Sequence, residues 1–244
     1  MKTLTFASRN TKEILRDKVN LFFGIVFPVL LLGLLTLIQS NLPVEQFPLR
    51  TLAPGIAVFG LSFISMFSGF LIAKDRTSSF MMRLMSSPMK SYNFIGGYVL
   101  PLIPMSFIQT TICYIAALCL GLPFSIRIIA CIVASVPISL IFISIGLICG
   151  TLFTDKQVGS LCGAVLTNLV AWLSSTWFDV SLVGGWFENL ANALPFLHAV
   201  NLGRNIYTGN WNMLGNDFVV ILMYALILSV ISIYVFTRKM KHMC

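Results

Sequence analysis

Residues 51–76 read TLAPGIAVFGLSFISMFSGFLIAKDR: an uncharged run from Thr51 to Ala73, closed by Lys74-Asp75-Arg76. Wound as a helix at about 1.5 Å per residue, a run of this length reaches across a hydrocarbon layer of roughly 30 Å. Five further stretches share its character, so six spans are predicted at about 19–38, 51–73, 95–122, 128–153, 158–178 and 217–237. Composition agrees. The chain is 57% hydrophobic and 10% charged, with a mean hydropathy of +0.92, values that exclude an ordinary soluble domain. The expected fold is all-α and integral to the membrane, as one transmembrane domain over 1–244.

Threading these spans as a serpentine sorts the charges. One side collects Lys2, Arg9, Lys12, Arg16, Lys18, Lys74, Arg76, Arg83, Lys90, Lys156, Arg238, Lys239 and Lys241; the other collects only Arg50, Arg127 and Arg204. The acids divide evenly. Because Lys and Arg set orientation, both termini are expected in the cytoplasm. The net charge of +8 does not point to nucleic acid, since the cations are scattered beside spans, where anionic lipid is their natural partner. Residues 1–18 alternate apolar and basic positions and predict an interfacial helix with Leu4, Ala7, Thr11, Ile14 and Leu15 on one face. Met1–Asn20 is too polar for a cleavable signal peptide.

Between spans two and three, residues 74–94 form the longest connection on the basic side. Phe80-Met81-Met82-Arg83-Leu84-Met85, ended by Pro88, predicts a short amphipathic helix. Its methionines suit either the lipid interface or an adaptable contact with a partner protein. Gly146-x-x-x-Gly150 closes span four and Gly159-x-x-x-Gly163 opens span five. The motifs mirror each other about the Thr154–Asp155 turn, so backbone contact between these two spans is expected. Gln109-Thr110-Thr111 lies mid-span and needs partners inside the bundle.

Residues 179–216 are too polar for a span yet rich in aromatic residues. They predict two short helices broken at Pro195, lying on or dipping into the opposite leaflet. The six cysteines include no C-x-x-C pair, and the spacing leaves open whether Cys119 and Cys131 pair. No metal site is expected, because His198 and His242 fall on opposite sides.

The order of these parts resembles the permeases of ABC-2-type transporters. Leu52-Ala53-Pro54-Gly55-Ile56 is similar to the family's "LxPG" at the start of span two. Lys74-Asp75-Arg76 through Arg83-Leu84 and Pro88 resembles its coupling loop, although Ser79-Phe80 replaces Gly-Thr and Met82 replaces an acid. Leu194-Pro195-Phe196-Leu197-His198-Ala199-Val200 with Arg204 resembles its outer "xPLTHAVxxxR" element.

That resemblance implies an exporter subunit in a plasma membrane, most naturally bacterial, working as a homodimer or with a sister permease on two separate ATPase subunits. ATP and Mg would be bound by those partners; the chain itself would bind no cofactor and perform no catalysis. Coupling to the ATPase would fall on Arg76, Phe80, Met81, Met82, Arg83, Leu84, Met85 and Pro88. In the family, spans one, two and five face the path, which offers Ser62, Ser65, Ser68, Thr167, Asn168 and Trp172 as its lining. The outer re-entrant element would use Glu188, Pro195, His198 and Arg204. The spans carry no charge to relay ions, which favours an amphipathic or lipid-like cargo (drug, peptide antibiotic or lipid-linked molecule) over a secondary carrier. Polysaccharide or teichoic-acid export is the alternative, though no aromatic ladder is evident along spans one and five. An embedded hydrolase using His198, Asp179, Glu188 and Ser181 is a weaker reading.

Overall fold

The computed structural model describes residues 2–43, 46–78 and 91–241, and every regular element among them is helical. The predicted coupling helix around Phe80–Pro88 lies outside the described residues. α1 (Lys2–Arg16) precedes α2 (Lys18–Ser40), α3 (Leu49–Thr77), α4 (Ser91–Cys119) and α5 (Arg127–Leu152). Asp155–Val158, Gly159–Leu166 and Thr167–Leu173 run on as one rod, α6, whose middle portion is a π-helix. A 3₁₀ turn at Val180–Leu182 leads to α7 (Gly185–Ala193), α8 (Pro195–Thr208) and α9 (Trp211–Lys241).

Helices α2, α3, α4, α5 and α9 are long and apolar enough to cross a membrane. The predicted fifth span is not among them. Asp155, Lys156, Gln157 and Asn168 dilute the hydropathy of α6, and its helix ends at Leu173 rather than Phe178. The break falls on Ser174-Ser175-Thr176, where Ser175 adopts a φ of +56° and the Ser174 and Thr176 hydroxyls bond at 2.6 Å. Hydroxyls that satisfy one another locally compete with continued helix.

α3 is the hub. Its apolar window is 94% buried, against 22% for α2 and 17% for α9. Small residues make this possible by admitting a different neighbour at each level. Gly55 faces Thr176, Gly60 faces Gln109 and Pro28, and Gly69 faces Val158 and the backbone of α5. Gln109 and Thr110 find partners inside the bundle: Gln109 Nε2 donates to Cys113 Sγ at 3.3 Å, and Thr110 Oγ1 donates to Gln109 Oε1 at 3.3 Å.

The glycine motifs pack on α3. A Cβ on Gly146 would collide with the Ser65 carbonyl, and one on Gly150 with the Gly69 carbonyl. Gly159 faces Phe70, and Gly163 lies near the Met66 sulfur. All four glycines therefore face α3, so these motifs also pack the fourth and fifth predicted spans against the second. The mirrored motifs carry no information about a third helix.

α1 is also rotated from the expected face. Phe6, Ala7, Asn10 and Ile14 are buried, whereas Leu4, Thr11 and Leu15 are exposed. Phe6 stands edge-on to Tyr98 at 5.0 Å, over Gly97, while Asn10 Nδ2 donates to the Gly97 carbonyl at 2.9 Å. Thr3 Oγ1 donates to Asn93 Oδ1 at 2.9 Å. A polar anchor in the middle of the buried face thus docks α1 on α4, which an apolar count along the sequence overlooks.

Candidate functional site

A groove of about 850 Å³ lies between α2, α3 and α6. It runs from Val19 and Asn20, near α1, to Trp177 and Phe178 at the opposite end, and its lining contains no charged residue. Thr167, Asn168 and Trp172 line it; the serines of α3 do not. Ser62, Ser65 and Ser68 are fully buried, and their hydroxyls donate to the Phe59, Ser62 and Ile143 carbonyls at 2.6, 2.6 and 2.9 Å. These are packing residues, suited by size to close helix contacts in lipid.

In place of serines, the α3 wall presents Phe59, Phe63, Met66 and Phe70. Phe63 meets Phe27 at 5.9 Å and Phe59 at 5.5 Å, and Phe59 meets Trp177 at 5.8 Å, all edge to face. An aromatic column is therefore present, built mainly by the first two predicted spans, with Phe23 and Phe27 supplying the part of it on span one that the sequence did not make evident. A period of four along α3, from Phe59 through Phe63 and Phe67, was the available signal, with Phe67 turned instead toward Gly24. Both partner walls contain π-helix, at Phe22–Val26 and Gly159–Leu166, a geometry that recurs at functional sites.

A smaller cavity of about 270 Å³ lies at the far end and shares Trp177 and Phe178 with the groove. Arg204 forms its floor: Nε donates to the Thr51 carbonyl at 3.1 Å and an Nη to the Ser175 carbonyl at 2.6 Å. Arg204 thereby pins the turn after α6 to the start of α3. Burial draws its guanidinium below the ordinary arginine value, with nearby Asp179 opposing.

The two predicted short helices, α7 and α8, meet at Pro195, which occupies the first turn of α8. His198 Nδ1 lies 2.7 Å from Asp217 Oδ1, and Nε2 lies 2.9 Å from the Asn192 carbonyl. Both ring nitrogens thus have an oxygen partner, one a carboxylate and one a carbonyl. Asn205 Nδ2 donates to Asp217 Oδ2 at 3.1 Å. Asp217 escaped the sequence reading because its partner is nineteen positions away on another element. With both ring nitrogens engaged, His198 offers no base to Ser181, and the hydrolase arrangement is not formed. Glu188 sits in the first turn of α7, and no bond joins it to His198 or Arg204 among the described residues.

At the α1 end, Arg76 is the one proposed coupling residue within the described chain. Its guanidinium donates to the Thr151 carbonyl, and to that of Phe153 at 3.1 Å, so it closes the end of α5. Neighbouring Asp75 is 1% exposed; its Oδ2 accepts from Arg9 at 2.6 Å and from the Tyr98 hydroxyl at 2.9 Å. Burial alone would draw the Arg9 guanidinium down, but the bond and attraction to Asp75 outweigh it and hold it above the ordinary arginine value.

Among the cysteines, Cys119 is exposed while Cys131 is buried against the Gly203 carbonyl at 3.5 Å, and both are free thiols. No group of three or more potential metal ligands occurs among the described residues. A family model for the ABC-2 type transporter matches residues 1–208, from α1 to the end of α8. No match is found among curated proteins. A bundle of long apolar helices around a small-residue hub, matched over most of its length by that model, makes the chain a multi-pass membrane protein belonging to the ABC-2 type transporter family.

Proposed function

We propose that the chain is the membrane-spanning permease subunit of an ATP-binding-cassette exporter and that its groove is one wall of the cargo path. The observation that carries this reading is the uncharged aromatic groove between α2, α3 and α6, which extends from the basic end of the bundle to the opposite end. Two permeases, identical or sister chains, would close a path by facing each other across their grooves. Two ATPase subunits would supply the work and bind ATP and Mg, since this sequence lacks G-x-x-x-x-G-K-[ST]. The Lys and Arg split favours α1 and both termini on the cytoplasmic side of a bacterial plasma membrane, with the 79–90 segment and Arg76 toward the ATPase. α6, with the turn after it, would complete the sixth crossing.

Cargo chemistry follows from the lining. Apolar and aromatic surface with a few neutral polar groups suits an amphipathic or lipid-like molecule better than an ion. Sugar stacking has less support, because the rings of the column present edges to one another's faces. Trp172, 54% exposed, is the groove aromatic with the most open surface.

The test is reconstitution with a partner ATPase subunit, using a fluorescent lipid analogue as probe. ATP-driven movement of the probe is expected. Trp172→Ala, which removes exposed aromatic surface and no core contact, is expected to raise the half-saturating probe concentration about tenfold while ATPase co-purification persists. Unchanged saturation would remove the groove from the path, and failure to retain any ATPase would remove the exporter reading.

A further inference from the structure

Three consecutive residues at the end of α3 reach four different helices. Lys74 Nζ lies 3.3 Å from Asp17 Oδ2, at the cap of α2. Asp75 binds Arg9 of α1 and Tyr98 of α4, and Arg76 holds the carbonyls that end α5. The arrangement continues directly into the groove. Lys74 stands 5.7 Å from the ring centre of Phe70, and Asp17 accepts from both the backbone and side chain of Asn20 at 3.2 and 2.7 Å. Phe70 and Asn20 both line the groove.

We infer that Asp75, held by Arg9 and Tyr98, is the positioning element of a junction that makes α1 and the groove walls move together, so that work delivered at the α1 end changes the shape of the groove. This rests on the permease reading. Stability alone accounts poorly for the buried Asp75 carboxylate, because an apolar side chain often replaces a buried charge and its partner without loss. Asp75 is buried while Arg9 is part-exposed, so displacing α1 would strand the Asp75 carboxylate, and the pair thereby fixes one relative placement of the helices that carry it. Arg9 also bonds Glu13 on its own helix at 2.8 Å, which braces the guanidinium toward Asp75. Sequence spacing gives no hint of the pair, whose members stand 66 positions apart. None of the three residues touches cargo; they position the helices that do.

The experiment uses the chain in complex with its ATPase. A bimane label is attached through Ala164→Cys in the groove wall, with the native cysteines replaced by Ser, and its fluorescence change on adding Mg-ATP is measured. Arg9→Ala is expected to reduce that change about tenfold, with ATPase retention and the basal rate of ATP hydrolysis kept. Arg9→Lys should retain most of it. The exchange Arg9→Asp with Asp75→Arg should restore it, which a merely structural defect would not predict. If Arg9→Ala is too unstable to purify, Tyr98→Phe carries the test: it removes one hydrogen bond to Asp75 and should reduce the change about threefold. A full-size change in Arg9→Ala or in Tyr98→Phe, or an exchange variant as silent as Arg9→Ala, overturns the inference. Loss of the ATPase from Arg9→Ala also overturns it, by making this a docking surface. If the parent chain itself holds no ATPase, the permease reading falls and takes the inference with it.

Discussion

Gly150→Ala is expected to destabilise the folded chain by about 2–3 kcal/mol, although it adds a single methyl group. The reason is what lies opposite. A Cβ at Gly150 meets the Gly69 carbonyl and stands 2.9 Å from the Gly69 Cα. Both are backbone atoms of the most buried helix, so no rotamer change can make room and α3 and α5 must separate. Separation at this level weakens its neighbours: Gly146 closes on the Ser65 carbonyl one turn away, and Ser68 Oγ spans the same seam to the Ile143 carbonyl. Gly33→Ala is the matched control. It lies in another apolar helix, with no atom within 4 Å of its added Cβ, and is expected to change stability by less than about 0.5 kcal/mol. Thermal unfolding of the two purified variants beside the parent measures the difference. Equal midpoints for Gly150→Ala and Gly33→Ala would show that the α3–α5 seam is not a backbone contact.

That seam also shows what was legible in the sequence. Runs such as Thr51–Ala73 announce helices because a long uncharged stretch has no other stable form in lipid. The break at Pro195 is equally local, since proline cannot continue the preceding turn but suits the next helix start. Partner choice is not local. Gly146 and Gly150 could be recognised as contact residues from their spacing, yet the helix they touch is set by how all the elements pack. The polar residues of the α1 end hide for the same reason. Asp75 looks like part of a charged loop until α1 folds back and supplies Arg9. The serines of α3 gave opposite signals, as lining because they are polar and as packing because they are small. Size decided, because each hydroxyl satisfies itself on a nearby carbonyl.

Two changes to acid separate these roles and should have opposite outcomes. Ser68→Asp places a carboxylate where the side chain is fully buried and faces the Ile143 carbonyl, itself an acceptor. A charge there has no partner and no water, and it is expected to lower stability by about 3 kcal/mol or more, so that little folded chain is recovered. Asn168→Asp adds the same charge to α6 at an exposed position lining the groove. It gives up only the bond from Asn168 Nδ2 to the Ala164 carbonyl at 2.8 Å, and the charge can stay hydrated in the opening. The fold is expected to survive with its unfolding midpoint near that of the parent. Cargo preference is not. One negative charge in an otherwise uncharged groove attracts a cation about 4 Å away by roughly 1–4 kcal/mol, depending on how much water remains. Stimulation of ATP hydrolysis by a cationic amphiphile should therefore reach half-maximum at a concentration at least about tenfold lower than in the parent, with no such shift for a neutral amphiphile of equal chain length. An unchanged ratio between the two amphiphiles would place cargo elsewhere. A Ser68→Asp variant as stable as the parent would mean that the serine face of α3 meets water, and would return those serines to the path.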